Sequence, residues 1–378
     1  MKSILNDWAL QSPTIGDGND DGGAITIVNK TTNKQYKNRP MINIDGIAHP
    51  PFIRKEVLNA QRSKLSFRPT DLFVTTYAKC GTTLTEQIVC LLLNDGRSDN
   101  LNPLDKNSFD KHSDVVGKIW TEVAVVEGLG IDIDNNNYEA TTTTAKRLCE
   151  MKLRMSVDEF DTIPSPRVLK THEPVQLFPD RDERHAKVIY VTRNPFDACV
   201  SCYYHPKKGL SPHSTGVPFE GFAKYWLSDR FVFGGWIEHT KGWRREYQQH
   251  LSSCDEEKKN MIWLSYEELV DNPLYSIQRI ATFIGVDTTA DSALVQRVAE
   301  GCKFDNVREK AQASLDGGAE GFIDHLRSGK VGDWRNHFGP ELFAEFGGAI
   351  KAELRGAGME LVYDIGDGET WAIDEEGS

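Results

Sequence analysis

The turn at residues 75–83 (TTYAKCGTT) combines a lysine, a glycine and two consecutive threonines within five positions. A glycine such as Gly81 lets the backbone approach a ligand closely, and Lys79 supplies a compact cation. The hydroxyls of Thr82 and Thr83 add hydrogen-bond donors. If a helix begins here, the N–H groups of its first turn point at an anion. These residue types therefore predict a site for a phosphate-like group.

The flanking segments predict the elements that hold this turn. Residues 71–77 (DLFVTTY) are typical of a buried strand. Apolar residues then recur with helical spacing at Leu84, Ile88, Leu91 and Leu92. The Walker A pattern G-x-x-x-x-G-K-[ST] is absent, because Lys79 precedes Gly81 instead of following it. The turn is thus predicted to hold an anion differently from the turn of nucleoside triphosphatases.

A second segment, residues 167–174 (RVLKTHEP), ends a short apolar strand with a lysine and a histidine. The ordinary pKa of histidine, about 6.5, suits proton abstraction at neutral pH. His172 is therefore a candidate general base beside the cation of Lys170. Taken alone, His172 is better explained as a surface or packing residue, and only the turn at 75–83 makes it a candidate base.

A third segment leads from a strand into a helix. Residues 188–192 are β-branched or aromatic, which indicates a buried parallel strand. Asn194 is a good N-cap, and Pro195 suits the first position of a helix. Arg193 is then placed at the carboxyl end of a strand, where open α/β sheets bind ligands. Ser201 is predicted about two turns into the helix.

These segments resemble, in the same order and over about residues 65–340, the signatures of the cytosolic sulfotransferases. The turn is similar to the family's phosphosulfate loop, T-Y-P-K-S-G-T-T-W, with Ala78, Cys80 and Leu84 as departures. Residues 170–174 resemble the motif K-T-H-x-P. Residues 193–201 resemble R-N-x-x-D-x-x-x-S, whose Arg and Ser hold a ribose 3′-phosphate.

The resemblance extends to the C-terminal part of the chain. Residues 327–338 (RSGKVGDWRNHF) contain two glycines, which predict a loop that folds over a ligand. They resemble R-K-G-x-x-G-D-W-K-N-H-F, with Ser328 in place of a lysine, which is expected to weaken nucleotide affinity. Tyr266 and Phe304 occupy the positions where the family contacts adenine.

The resemblance implies a reaction and a set of site residues. A sulfuryl group would pass in line from 3′-phosphoadenosine 5′-phosphosulfate (PAPS) to a hydroxyl or amine, without a metal. His172 would be the catalytic base, with Lys79 at the leaving phosphate and Lys170 beside the transferred group. The implied donor-binding residues are Lys79, Cys80, Gly81, Thr82, Thr83, Arg193, Ser201, Tyr266, Phe304, Arg327, Ser328 and Gly329.

The implied fold is a single α/β domain with a central parallel sheet flanked by helices on both faces. We assign residues 1–45 to a polar, partly flexible N-terminal arm and residues 46–362 to the sulfotransferase domain. Residues 95–165 are an insert-rich part of that domain, with helices and surface loops. Residues 363–378 are predicted to be a solvated acidic tail, because basic residues are absent from 364–378.

The composition indicates which binding partners and which cellular compartment to expect. A net charge of −12 argues against a nucleic-acid partner. No apolar run is long enough to cross a membrane, and the first residues lack the apolar stretch of a signal peptide. Seven scattered cysteines suggest reduced thiols in a cytoplasmic protein. Within that cytoplasmic setting, the expected partner is a small-molecule acceptor.

Two other functions compete with this prediction. One is a nucleotide kinase or hydrolase, which the missing GK[ST] pattern and magnesium carboxylate disfavour. The other is a nucleotide-binding protein without catalysis, which the presence of His172 and Lys79 disfavours. The acceptor itself stays open among phenols, sterols, other alcohols and amines, because variable loops form such pockets.

Three further expectations concern cysteines and assembly. Cys80, at a predicted helix N-terminus beside Lys79, is a candidate for a reactive thiol of low pKa. Cys199 and Cys202 have redox or zinc spacing, but they are predicted to pack within a helix. The family's dimer motif, K-x-x-x-T-V-x-x-x-E, is not intact from Arg335 onward, so we expect that dimer contact to be absent or altered.

Overall fold

The computed structural model describes residues 3–11, 24–38, 41–50, 53–97, 118–127, 155–180, 186–205, 216–253, 260–313, 327–355, 361–366 and 369–373. The strands are β1 (Trp8–Gln11), β2 (Thr26–Asn29), β3 (Gln35–Lys37), β4 (Ile42–Ile44), β5 (Ile47–His49), β6 (Leu72–Thr76), β7 (Lys118–Trp120), β8 (Val125–Glu127), β9 (Met155–Ser156), β10 (Val168–Thr171), β11 (Lys187–Thr192), β12 (Met261–Ser265), β13 (Leu361–Gly366) and β14 (Glu369–Ile373).

The α-helices of the described residues are α1 (Lys55–Lys64), α2 (Thr82–Leu93), α3 (Thr121–Ala124), α4 (Val157–Thr162), α5 (Pro195–Tyr203), α6 (Phe219–Trp226), α7 (Gly235–Leu251), α8 (Tyr266–Asp271), α9 (Pro273–Ile284), α10 (Leu294–Gly301), α11 (Phe304–Ala313) and α12 (Pro340–Arg355). Short 3-10 turns occur at Leu5–Asp7, Val175–Leu177, Val232–Gly234 and Asp333–Asn336.

Five parallel strands form the central sheet in the order β12-β11-β6-β10-β7. The register aligns their carboxyl ends, since Thr76 pairs with Val191 and Thr75 pairs with Thr171. The residues that follow these strands therefore meet at one edge of the sheet. This arrangement confirms the predicted α/β class with a central parallel sheet.

Helices pack on both faces of the central sheet, and its strands β6, β10 and β11 are almost entirely buried. Leu72 and Val74 of β6 pack with Ile88 of α2 on one face. Phe73 points to the other face and packs in the same cluster as Trp243 of α7. All five residues of β6 are buried, so burial does not alternate along this strand, as expected for a strand covered on both faces.

A buried ion pair joins the starts of two central strands. The Arg167 guanidinium donates from Nε to Asp71 Oδ1 at 2.8 Å, and both side chains are fully buried. The guanidinium also lies 4.0 Å from the centre of the Phe160 ring. The pair fixes the entry of β10 beside β6.

The N-terminal region differs from the predicted flexible arm. Strands β1, β2 and β3 form an antiparallel sheet. Trp8 and Ile27 pack in one hydrophobic cluster with Phe222, Trp226 and Phe346, which is called the main cluster below. The indole of Trp8 covers Gly221 of α6, where a Cβ would lie 2.7 Å from the ring. The absence of a side chain at Gly221 creates the space for the indole. The Gly-Asp-rich stretch at 16–23 lies outside the described residues.

The C-terminal region also differs from the predicted acidic tail. Strands β13 and β14 form an antiparallel hairpin. Leu361 and Tyr363 are buried in the main cluster, and the Tyr363 hydroxyl is 2.9 Å from Thr192 Oγ1 at the end of β11. These two apolar side chains, which precede most of the acidic residues, hold the hairpin. Residues 374–378 lie outside the described residues.

The insert-rich region is described only in part. Its described residues form β7, which extends the central sheet, then α3 and β8. After the residues outside the description, β9 pairs in parallel with β8 and leads into α4. A strand of the central sheet within this region was not predicted.

Candidate active site

The predicted anion turn joins β6 to α2. Gly81 has a φ of 111°, and Lys79 has a φ of 69°, both in the left-handed region. A Cβ at Gly81 would lie 2.9 Å from the Tyr266 ring, so only glycine fits this turn. Thr82 Oγ1 lies 2.6 Å from Thr76 Oγ1, which ties the first helical residue to the end of the strand. The helix N-terminus therefore opens at the edge of the sheet.

The electrostatics around Lys79 suit an anion. Burial lowers the pKa of Lys79; the nearby Cys202 opposes this shift and the cations Arg193, Arg327 and Lys170 add to it, and the net pKa is about 8. Within the described residues Lys79 forms no ion pair with a carboxylate. Its ammonium group is thus available as a counter-charge for a bound group.

Cys80 lies apart from the other predicted donor-binding residues. Its side chain is fully buried in the main cluster and does not line the cavity described below. Its backbone N–H donates to the Tyr77 carbonyl at 3.1 Å. Burial raises the pKa of the Cys80 thiol well above its ordinary value, so the hypothesis of a low-pKa thiol is wrong.

Arg193 lies at the carboxyl end of β11, as predicted, and its surroundings hold it in one orientation. The guanidinium lies 4.2 Å from the centre of the Tyr266 ring. It donates from Nη1 to the Lys79 carbonyl at 3.1 Å, while Nε is buried without a hydrogen-bond partner in the described residues. Burial opposes the charge, but the oxygens of Tyr266, Asp197 and Glu267 outweigh it and raise the pKa of Arg193.

The loop at 327–338 is tied to α5 by one carboxylate. Asp197 accepts hydrogen bonds from the backbone N–H groups of Gly332 at 2.7 Å and Trp334 at 2.9 Å. Arg327 pairs with Asp333 and lies over the Tyr204 ring. These contacts bring the loop beside the Arg193 end of the sheet.

The loop also touches the start of α11. A Cβ at Gly329 would lie 2.3 Å from the Phe304 ring, so the glycine is required for this approach. Ser328 lines the cavity between these segments.

His172 follows β10 and is fixed by its neighbours. Its Nδ1 donates to the Thr76 carbonyl at 2.8 Å, because a carbonyl can only accept. In the neutral imidazole the lone pair therefore resides on Nε2. The ring lies between two aromatic side chains, with centroid distances of 5.8 Å to Trp120 and 5.5 Å to Phe233.

Lys170 is held in the same region by an aromatic face. Its Nζ lies 4.5 Å from the centre of the Trp120 ring, a cation–π contact. The Lys170 side chain is largely buried and lines the cavity. Lys79, Lys170 and His172 thus line the same cavity.

Three buried ionisable residues near His172 were not predicted as part of the site: Glu122, Glu173 and His49. Glu122 accepts from the His172 backbone N–H at 2.9 Å and from Thr171 Oγ1 at 2.6 Å. Burial and the neighbouring Glu173 raise the pKa of Glu122 to about 7. Glu173 lies 2.8 Å from His49 Nε2. The sequence places Glu173 directly after His172, but it does not indicate that His49 of β5 is the partner of this carboxylate.

One cavity of about 460 Å³ collects the predicted residues. All predicted catalytic and donor-binding residues except Cys80 line it. These are Lys79, Gly81, Thr82, Thr83, Lys170, His172, Arg193, Ser201, Tyr266, Phe304, Arg327, Ser328 and Gly329. The cavity also has an apolar part that was not predicted, formed by Met41, Pro50, Trp120, Phe231 and Phe233. Cations and apolar surfaces therefore meet around His172.

Comparisons with known proteins identify the family of this chain. The family model of the sulfotransferase domain matches residues 69–358. Sulfotransferase 1B1 of Mus musculus is 28% identical over 322 residues, which cover 83% of this chain and 93% of the relative. Sulfotransferase 2B1 of Mus musculus is 28% identical over 309 residues, covering 80% and 76%.

Two solved structures share the fold. Mouse sulfotransferase SULT7A1, complexed with PAP, superposes with a TM-score of 0.59 at 20% identity, covering 83% of this chain and 94% of that one. Retinol dehydratase, in complex with androsterone and inactive cofactor PAP, gives a TM-score of 0.57 at 22% identity, covering 88% and 89%.

The chain belongs to the sulfotransferase family, so the predicted family and enzyme class are confirmed. Within the described residues no helix is long and apolar enough to span a bilayer, and no group of three or more potential ligands for a metal ion occurs.

Proposed function

We propose that this protein transfers a sulfuryl group from PAPS, the sulfate donor of its family, to a hydroxyl or amine of a small-molecule acceptor. One observation carries the proposal: a single cavity holds the cationic anion turn, Arg193 and His172 together. A nucleotide-binding protein without catalysis would not need a histidine of fixed tautomer in the same cavity as two lysines.

The donor end of the cavity fits an adenine nucleotide with two phosphate positions. The N-terminus of α2 and Lys79 suit the 5′-phosphosulfate, since helical N–H groups and an ammonium attract an anion. The Nε of Arg193, which has no hydrogen-bond partner in the described residues, suits the 3′-phosphate, and Ser201 and Arg327 line the same cavity. Tyr266 and Phe304 supply aromatic surface for adenine.

His172 is suited to remove the acceptor proton. Because Nδ1 donates to the Thr76 carbonyl, Nε2 is the basic atom of the neutral ring. Lys79 and Lys170 would stabilise the charge that develops as the phosphate oxygen leaves, which is the main catalytic requirement of such a transfer. When bound, PAPS would supply the sulfuryl group that is transferred to the acceptor.

The acceptor end favours a small molecule with an apolar body. Trp120 and Phe233 contact the His172 ring, and Phe231 lines the same cavity. Two structural neighbours, both retinol dehydratase, are complexed with androsterone and with retinol. We therefore expect the acceptor to carry its hydroxyl or amine on an apolar or aromatic framework.

Calorimetric titration with adenosine 3′,5′-bisphosphate (PAP), without added metal, tests the donor site. We expect PAP to bind much more tightly than adenosine 5′-monophosphate, and Arg193→Ala to weaken PAP by about 2–5 kcal/mol. Arg279→Ala is the matched control, because this arginine of α9 pairs with Glu268 and does not line the cavity, and it should leave PAP affinity unchanged. Equal binding of the two nucleotides would contradict the donor assignment.

Transfer of label from [35S]PAPS to 2-naphthol, p-nitrophenol and androsterone tests catalysis. We expect His172→Gln to lower kcat about 10²–10⁴-fold while PAP affinity is retained. Nucleotide binding without transfer to any acceptor would favour the non-catalytic alternative, and a requirement for magnesium would favour a kinase or hydrolase.

A further inference from the structure

The residue after His172 carries a buried charge whose partner comes from a distant part of the chain. Glu173 Oε2 lies 2.8 Å from His49 Nε2, and both side chains are 0% exposed. His49 ends β5, in the hairpin of β4 and β5 near the N-terminus. The pair therefore connects that hairpin to the main-chain segment that bears His172.

The hydrogen bonds define the proton on this pair. His49 Nδ1 donates to the Ile47 carbonyl at 2.9 Å, because the carbonyl can only accept. One proton then lies between His49 Nε2 and Glu173 Oε2. Burial alone would lower the pKa of His49, but the hydrogen bond and charge of Glu173 outweigh it and raise that pKa, which favours the ion pair.

The backbone around His172 is held from the opposite side by α7. The His172 carbonyl accepts from His239 Nε2 at 3.1 Å, and the Glu173 carbonyl accepts from Trp243 Nε1 at 3.2 Å. Burial lowers the pKa of His239 to about 3, so this ring stays neutral. The Glu173 carboxyl, in turn, connects the segment that bears His172 to the hairpin of β4 and β5.

The same hairpin contacts the aromatic wall beside His172. The Phe233 ring meets the His49 ring edge-on with centroids 5.5 Å apart, and meets His172 at the same centroid distance. Phe233 has a φ of 58°, a conformation that a bulky residue adopts only when its surroundings impose it. His49 thus touches the group that positions the base and the ring that lines the acceptor end.

We propose that the His49–Glu173 pair is a positioning unit, which fixes the orientation of the His172 imidazole and of the Phe233 ring toward the acceptor. The inference rests on the proposed function, in which His172 is the base. An apolar pair of similar volume would provide equal or greater stability than a buried ion pair, so stability alone does not require these two residues.

Three variants separate positioning from stability. His49→Leu leaves the Glu173 carboxylate buried without its partner and is expected to destabilise the fold. The double variant His49→Leu/Glu173→Leu removes both charges and should restore thermal stability. His49→Gln keeps a donor toward Glu173. His250→Leu, at a buried histidine that accepts from the Met261 N–H, is the matched control for loss of a buried imidazole.

The direct readout is the imidazole 15N chemical shifts of His172 in histidine-labelled protein, assigned with His172→Gln. We expect a single Nδ1-protonated tautomer in the wild-type protein and in His250→Leu. In the double variant we expect mixed tautomers or exchange broadening. Unchanged His172 shifts in a folded double variant would overturn the inference.

The kinetic readout is transfer from [35S]PAPS to 2-naphthol, alongside calorimetry with PAP. We expect the double variant to lose about 10–100-fold in kcat, because misplacement of a catalytic group by about 1 Å has effects of this size. PAP affinity should stay within about 2-fold, and His49→Gln should recover most of kcat. Full kcat in the double variant would contradict positioning. Full kcat in His172→Gln would instead contradict the proposed function, and the 15N shifts would still decide the inference.

Discussion

Lys79 and Cys80 are consecutive residues in opposite environments. The left-handed backbone at Lys79 lets its side chain line the cavity, whereas the Cys80 thiol enters the main hydrophobic cluster. The family resemblance predicted both as donor-binding residues, since a motif records positions and not side-chain directions. The positive φ of Lys79 is unfavourable for a residue other than glycine, and the role of its side chain in the anion site explains why the strain is retained.

The lowered pKa of Lys79 predicts a pH dependence of donor binding. Lys79 is a cation below about pH 8 and loses its charge above it. We expect PAP affinity to fall as pH rises from 8 to 9.5, by up to about 10-fold per unit, because the neutral amine no longer attracts phosphate. Calorimetry at constant ionic strength measures this. Lys79→Arg should abolish the decline, and an unchanged decline in that variant would assign it to another group.

The buried thiol of Cys80 predicts chemical inertness. Its raised pKa leaves little thiolate at pH 7.5, and its side chain is 0% exposed. We expect iodoacetamide to modify Cys80 at least about 10-fold more slowly than Cys302, which lines the cavity and is only partly buried. Peptide mass spectrometry over time measures both rates in one sample. Modification of Cys80 before Cys302 would show that the turn opens in solution.

At the scale of elements, Asp197 connects α5 with the loop at 327–338. Its carboxylate accepts from the N–H groups of Gly332 and Trp334, and Trp334 is buried. The loop that contributes Arg327 and Gly329 to the cavity therefore depends on a residue of another element. Arg327 and Gly329 line the cavity, whereas Asp197 holds the loop that bears them.

We predict that Asp197→Ala destabilises the protein by about 2–4 kcal/mol, because two backbone donors lose their acceptor. PAP affinity should fall as well, since Arg327 loses its support. Asp197→Asn keeps one acceptor oxygen and should have a smaller effect on both quantities. Urea unfolding and PAP calorimetry provide the two values. Loss of PAP affinity with unchanged stability would indicate that Asp197 itself acts at the donor site.

The elements that follow strict local patterns were predicted correctly. Residues 188–192 lie within β11, and α5 begins at Pro195 after an Asn194 cap, as local preferences require. The three buried residues beneath His172 could not be predicted in the same way. Their meeting depends on how β5, α3 and β10 pack in three dimensions, and no spacing within the sequence encodes it.

At the scale of the whole molecule, both ends of the described chain enter one core. Trp8 of β1 and Tyr363 of β13 belong to the same hydrophobic cluster as Phe346 of α12. The parallel sheet and its active edge were predictable, because long apolar runs and motifs mark them. The terminal segments were predicted as solvated because charged and polar residues dominate their composition, while a few apolar side chains decide their packing.

We predict that Trp8→Ala lowers the free energy of unfolding by about 3–5 kcal/mol, the usual effect of removing a buried large aromatic side chain. Trp8→Phe, which retains a ring over Gly221, should lose less. Denaturant unfolding of both variants measures this, with PAP calorimetry as a check on the active site. A loss below about 1 kcal/mol for Trp8→Ala would show that the N-terminal sheet is only loosely attached.

The contact of Trp8 with Gly221 also limits how this chain can diverge. Any side chain at position 221 enters the volume of the indole, since even a Cβ would come within 2.7 Å of the ring. A larger residue at position 221 is therefore tolerable only when position 8 has lost its tryptophan. Among natural descendants of this sequence we expect the two positions to change together, although 212 residues separate them in the chain.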